Sequence, residues 1–194
     1  MILSETRRLH QLWLNGDSTG VQANLSEKNF SGKNLSCINL SKANLENIVF
    51  ICTNLSGADL SGADLSGADL SGANLLGANL KDANLQNANL ENANFTAANL
   101  TNANLSFANL TNTYLSSANL LNTNFSNANL DYTIFKLTCN FGFARTDKRI
   151  RQQLIAHAFS FFTNSELDED EKVLLDAARK YVADWHQEDK FGKI

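Results

Sequence analysis

The stretch Ala58-Asp59-Leu60-Ser61-Gly62-Ala63-Asp64-Leu65-Ser66-Gly67-Ala68-Asp69-Leu70-Ser71-Gly72 says one five-residue phrase three times. Its period decides the fold. A helix returns to one face every 3.6 residues and a strand every 2, so neither keeps Leu60, Leu65 and Leu70 on one surface. A heptad supercoil fails for the same reason. A chain that sends an equivalent residue inward every five positions must turn at the same point in every unit. Five nearly extended residues and a corner make one side of a flat coil. Coils then stack about 4.8 Å apart through strand-like hydrogen bonds. The period alone leaves three or four sides open.

The phrase extends far in both directions. From Leu25 to Phe135 every fifth residue is Leu or Phe, 23 in succession, with Phe30, Phe50, Phe95, Phe125 and Phe135 among 18 leucines. Two residues earlier stands Ala in 15 units and Thr in four. The residue just before the Leu or Phe is Asn or Asp in 20 of the 23, the exceptions being Val49, Tyr114 and Ile134. Asn and Asp bond to nearby backbone and favour turns.

The motif Ala-(Asp/Asn)-Leu-x-x, written out in Ala58–Gly62 and recurring through residues 23–137, resembles that of the pentapeptide repeat proteins, a family abundant in cyanobacteria. The resemblance implies an all-β solenoid, a right-handed four-sided (quadrilateral) β-helix. In such a coil the central Leu or Phe and the small residue two before it point inward, and the other three positions point outward. Four sides place residues twenty apart in one column. Phe30 then stacks under Phe50, and Ala63, Ala83 and Ala103 form a small-residue stack beside the leucines, giving a packed core rather than a pore. Twenty-three units make nearly six coils, roughly 25–30 Å of rod at that spacing.

Three segments follow: residues 1–22, 23–137 and 138–194. In the first, residues 4–14 read as a short capping helix, with Ser4 as N-cap, Gly16 as stop and a stripe of Leu9, Leu12 and Trp13. Open coil ends expose unpaired backbone and need lids. Lys28 and Lys33 occupy inward places of the first coil, so their ammonium groups should lean out at the rod's end. After Leu137 the register fails, and two amphipathic helices are expected as a C-terminal α-helical pair that caps or extends the coil. One starts near Thr146. The other carries Leu174, Ala177, Ala178, Tyr181, Val182 and Trp185, and the acidic run from Glu166 to Glu171 suits its N-terminal dipole.

The composition narrows the function. The chain has 29 Leu and 27 Asn, no Pro, only 19% charged residues and a net charge of −4. Bulk disorder is excluded, and a basic nucleic-acid-binding surface is not expected. No apolar run approaches a membrane span, and the start of the chain lacks a secretory signal, so a cytoplasmic location and no membrane partner are expected. His10, His157 and His186 have no metal or triad spacing, and Cys37, Cys52 and Cys139 form no disulfide or zinc pattern. No catalytic, cofactor-binding or metal site is therefore predicted, and the chain does not read as an enzyme. An enzyme with a site within 138–194 is the remotest alternative.

One branch of the family resembles duplex DNA and acts on DNA gyrase. That alternative requires carboxylates in line along the axis. Here the repeats carry mixed charge, and Asp59, Asp64 and Asp69 are consecutive units that wrap around the coil. The leading expectation is a non-enzymatic interaction or scaffold protein whose flat faces bind an unidentified protein partner, with a homodimer through the C-terminal helices as a further option. The candidate interaction surface consists of Val49, Ile51, Leu76, Phe107, Tyr114, Leu121 and Tyr132 on the coil, with Tyr181 and Trp185 beyond it.

Overall fold

The fold is seen in a computed structural model that describes residues 2–134. The segment expected to form the C-terminal helical pair, Phe135 and the candidates Tyr181 and Trp185 lie outside the described residues. The described chain opens with a helix, α1 (Ile2–Leu14), and continues as a stack of coils.

Parallel bridges settle the number of sides. Each joins residues twenty apart, from Asn24↔Asn44 to Tyr114↔Ile134, so four five-residue units close one coil. The first side holds the units centred on Leu25, Leu45 and Leu65; the second starts at Phe30, the third at Leu35 and the fourth at Leu40. Each unit makes the same bonds. Leu65 N–H donates to Asn84 O at 2.7 Å and Gly67 N–H to Gln86 O at 2.8 Å, while Asp64 N–H donates down to Ala43 O at 3.0 Å. A fourth bond, Ala68 N–H to Leu65 O at 3.0 Å, closes the corner.

The corners explain the composition. The residue two after each central Leu or Phe has a φ between 52° and 66°, whether it is Gly62, Asn92 or Tyr132. Glycine adopts that left-handed conformation freely and Asn tolerates it better than other side chains, which accounts for Gly early and Asn later in the sequence. The Asn or Asp that most units carry before the central residue braces the corner. Asp59 Oδ1 accepts from the Ser61 N–H at 3.0 Å and from its hydroxyl at 2.7 Å. It also accepts from Asn79 Nδ2 one coil up at 3.1 Å. The middle of each side is thus a ladder of side-chain amides.

The interior is filled as the family resemblance implies. Leu60, Leu65, Leu70 and Ala58 are fully buried, and Ala63, Ala83 and Ala103 are at most 1% exposed. The Phe30 and Phe50 rings stack with centroids 6.0 Å apart. The four inward threonines keep their hydroxyls satisfied: Thr53, Thr113, Thr123 and Thr133 donate to the carbonyls of Phe30, Leu90, Leu100 and Leu110 at 2.8–2.9 Å. Lys28 and Lys33, by contrast, are exposed at the open end.

The helix begins earlier than the sequence reading placed it. Ser4 lies within α1 rather than capping it, because the apolar face continues to Leu3, which packs on the core. The stop at Gly16 is as expected. Gly16 has φ 76°, its N–H donates to Trp13 O at 3.0 Å, and Asp17 N–H reaches Leu12 O at 3.0 Å. These are the two bonds of a Schellman C-cap.

Candidate functional site

Two surfaces carry side chains of interest: the joint between α1 and the first coil, and the outward residues of the coils.

The joint is built around His10, which is fully buried. Its Nδ1 accepts from the Ala23 N–H at 3.0 Å, which fixes the proton on Nε2, and Nε2 then donates to Ser41 O at 3.0 Å. Trp13 stacks on the imidazole with centroids 5.6 Å apart and 14° between planes. Burial lowers the His10 pKa from its usual value, opposed by the bond to Ser41. The arrangement needs a neutral ring, because a second proton would point Nδ1–H at the Ala23 N–H. Gly20 lets the returning chain pass against the helix. A methyl group there would stand 2.0 Å from the Trp13 nitrogen and 2.4 Å from its Cα. Val21 N–H then donates to Leu9 O at 3.0 Å. In the sequence His10 is a histidine without metal or triad spacing. The missed signal is a histidine on the apolar side of a helix that caps a coil of unpaired backbone.

Nearby, Glu5 and Arg8 form an exposed ion pair at 2.7 Å, and the Arg8 hydrogen bond holds the Glu5 pKa down. A shallow groove of about 350 Å³ beside α1 is lined by Ser4, Arg7, Arg8, Gln11 and Asn39. Among the described residues no three His, Cys, Asp or Glu side chains gather into a metal-sized group. Cys37 and Cys52 are exposed and free.

The outward candidates fall into two classes. Ile51, Leu76, Phe107, Tyr114 and Tyr132 are exposed, by 36%, 45%, 56%, 47% and 74%. Val49 and Leu121 are half-buried. The four-sided stack disperses them. Val49, Ile51 and Tyr132 belong to the second side, Leu76 and Tyr114 to the third, Phe107 to the first and Leu121 to the fourth. One pair of outward residues is brought together, Tyr114 and Ile134. Tyr114 is bridged to Ile134, and Tyr132 occupies the corner just before Ile134. On that side the amide ladder Asn34–Asn54–Asn74–Asn94 ends where Tyr114 begins.

Carboxylates do not line up. In their columns Asp59, Asp64 and Asp69 stand between Asn39 and Asn79, Asn44 and Asn84, and Val49 and Asn89. Each has an amide from the coil above on its Oδ1.

The family described as pentapeptide repeats matches residues 38–77, 78–116 and 108–139, with 8 copies of the motif. No curated protein matches the chain. Among solved structures, HetL, a pentapeptide repeat protein involved in heterocyst differentiation regulation from the cyanobacterium Nostoc sp. strain PCC 7120, is 35% identical, with 62% of this chain and 54% of HetL covered and a TM-score of 0.46. This chain therefore spans about half the length of HetL. A pentapeptide repeat protein from the Arabidopsis thaliana thylakoid lumen is 29% identical over 70% of this chain and 77% of its own, with a TM-score of 0.32. QnrB1, a plasmid-mediated fluoroquinolone resistance protein, is 18% identical over 76% of this chain and 93% of its own, with a TM-score of 0.38. With eight copies of the motif spread over more than half its length, the chain belongs to the pentapeptide repeat family.

Proposed function

We propose that the protein is a non-enzymatic interaction protein whose coils hold large apolar side chains on a rigid frame for a protein partner. The stack is read as right-handed, the hand almost always taken by crossovers between parallel strands. Residues 138–194 are read as the helical pair that closes the upper end. A homodimer through that pair remains part of this reading.

The observation that carries it is the bridged pair Tyr114 and Ile134 on the third side, with Tyr132 at the corner where the second side meets it. Tyr132 is 74% exposed and Tyr114 47%, and the backbone of Tyr114 and Ile134 is fixed by coil-to-coil bonds at 2.7–2.9 Å. Aromatic side chains held this way bury a large area at small entropic cost, which is the usual make-up of an interface hot spot. The dispersed Leu76 and Phe107 are ordinary surface hydrophobics by comparison. A DNA-mimic role has no support from the carboxylates, since Asp59, Asp64 and Asp69 each stand as the single acid of their column.

The test uses the intact chain as bait in native cells, followed by a binding assay with the protein it captures. The double substitution Tyr114→Ser and Tyr132→Ser should abolish binding, and Leu76→Ser with Phe107→Ser should leave it intact. Equal binding by both variants, with unchanged thermal melts, would remove the patch from the proposal.

A further inference from the structure

Along the lower edge of the first coil, backbone groups are without partners among the described residues on every side, and the second and third sides are the two that the His10 latch does not touch. On the second side, Phe30 N–H donates to Val49 O and Gly32 N–H to Ile51 O, each at 2.8 Å, and Val49 N–H donates to Lys28 O at 2.9 Å. The third side repeats the set through Leu35, Cys37 and Asn54. The matching groups on the underside of residues 28–37 are the N–H and C=O of Asn29 and Asn34 and the C=O of Ser31 and Ser36. None of them has a hydrogen-bond partner among the described residues. Asn29, Asn34 and Ser36 are exposed, and Phe30 is only half-buried. The His10 latch engages elsewhere, on Ala23 of the first side and Ser41 of the fourth.

Charge marks the same edge. Lys28 and Lys33 stand where the columns above them carry Ile48 and Ala68, and Thr53 and Ala73. Both are exposed, and neither forms an ion pair among the described residues. Residues 28–37 contain no acid; Glu27, at the corner just before, is the nearest. Arg7, in the groove beside Asn39, adds a further cation at this end.

We infer that this edge is a strand-addition site for an extended acidic segment of a protein partner. Such a segment would run parallel to residues 28–37 and repeat the rule of the coil. Its N–H groups would meet the carbonyls of Asn29, Ser31, Asn34 and Ser36, and two of its carbonyls would meet the Asn29 and Asn34 amides. Backbone bonds of this kind hold added strands, and side chains choose among them. Here the choice lies with the two ammonium groups, which call for carboxylates five residues apart. A second copy of this chain is a poor occupant, because pairing the two edges would set lysine against lysine. The site is separate from the aromatic patch and does not depend on it.

The probe is a fluorescein-labelled decapeptide, Glu-Asn-Leu-Ser-Gly repeated twice, titrated into the intact protein. Fluorescence anisotropy should show saturable binding, and exchange of the Asn29 and Asn34 amides with deuterium should slow. Replacing both glutamates of the peptide by glutamine should weaken it about tenfold, the size expected for two exposed ion pairs. Methylating the two leucine nitrogens of the peptide should abolish binding, because it removes the donors to the Asn29 and Asn34 carbonyls. These arms leave the protein untouched, so misfolding cannot account for them. In the protein, Lys28→Glu with Lys33→Glu should reverse the preference toward a lysine-bearing peptide. Absence of binding, equal binding of the glutamine peptide, or indifference to the methyl groups would overturn the proposal and leave the lysines as guards against edge pairing. Sedimentation of the free protein as a dimer with those two amides already protected would overturn it in favour of a second copy.

Discussion

The first coil, residues 23–42, and the coils above it share a backbone and differ in what fills it. Glu27 and Ala97 are both corners, with φ of 61° and 58°. Their N–H groups donate upward over the same 2.9 Å, to Glu46 O and Ser116 O. The inward small-residue places nevertheless read Ala23, Lys28, Lys33 and Ile38 in the first coil, and only Ala or Thr from residue 53 to residue 133. The path of the chain is therefore set by corners and coil-to-coil bonds. The identity of the inward residue is set by whether a coil lies on both sides of it. An end coil can turn a long cation out to water, and a middle coil has nowhere to send one.

The sharpest break of that comparison moves a lysine from the end to the middle. Ala83 is 1% exposed, between Ala63 and Ala103. Ala83→Lys should cost at least about 3 kcal/mol, because it buries an unpaired ammonium in a filled column. Ala83→Leu, which only overpacks the column, should cost about 1–3 kcal/mol. Lys33→Ala should stay within about 0.5 kcal/mol, as an exposed substitution does. Urea unfolding of the three variants measures all of this. Equal losses for Ala83→Lys and Lys33→Ala would mean that the two regions are not distinguished by enclosure.

That contrast also shows what the sequence could tell. The five-residue period was enough to require a repeated turn, while the sorting of inward from outward residues and the Phe30–Phe50 stack came with the four-sided coil that the family resemblance implies. The number of sides did not follow from the period, since a three-sided coil would carry the same inward pattern; it is visible only in the twenty-residue bridges. Val49 and Leu121 are outward by register yet half-buried, as the places just before and just after the central residue are in most units. The joint at α1 was the least legible part. His10 and Gly20 act through contacts with residues 13, 23 and 41, and a single histidine or glycine has no periodicity to announce such a contact.

Gly20 gives the next effect in size. Gly20→Ala puts a methyl group 2.0 Å from a backbone nitrogen that has no room to yield. The helix should lift from the first coil at a cost of about 1–3 kcal/mol. The damage should stay at that end, since each coil contacts only its neighbours. In a Trp185→Phe background Trp13 is the sole indole, and its emission should shift to the red while the β signal in circular dichroism persists. An unshifted spectrum would show that α1 docks without the close approach.

The latch itself is a smaller effect, with a sign in pH. Folded His10 binds its proton less readily than the unfolded chain, whose histidine titrates near 6.5. Below that value the unfolded chain takes up the proton first. The stability present at pH 7–8 should therefore fall as the pH drops from about 6.5 through the lower folded value. His10→Leu removes the titration and leaves Ser41 O and the Ala23 N–H without the ring, a loss of about 1–2 kcal/mol at pH 8. The difference between the two proteins' denaturation midpoints, followed from pH 8 to pH 5, should shrink. A constant difference would mean that the ring is not held neutral by its two backbone partners.

The smallest effect sharpens the comparison by looking where the two regions ought not to differ. Glu27 and Ala97 each hold a side chain in the left-handed region, where L-residues are strained by about 1–2 kcal/mol and glycine is not. Glycine returns part of that gain through the greater freedom of the unfolded chain, about 0.5–1 kcal/mol. Glu27→Gly and Ala97→Gly should therefore each raise stability by about 0.5 kcal/mol, while Asn92→Gly, starting from a residue that tolerates the conformation, should change little. The corner-closing bonds support an equal result in the two regions: Lys28 N–H to Leu25 O is 3.2 Å and Ala98 N–H to Phe95 O is 3.0 Å. Each corner is closed within its own unit, so a coil below it adds nothing. If Ala97→Gly stabilises and Glu27→Gly does not, the first coil is already open under the conditions of the measurement, and its conformation no longer counts toward global unfolding. Amide exchange at Phe30 and Leu35, whose N–H groups bond upward to Val49 and Asn54, would then be as fast as in an unfolded chain.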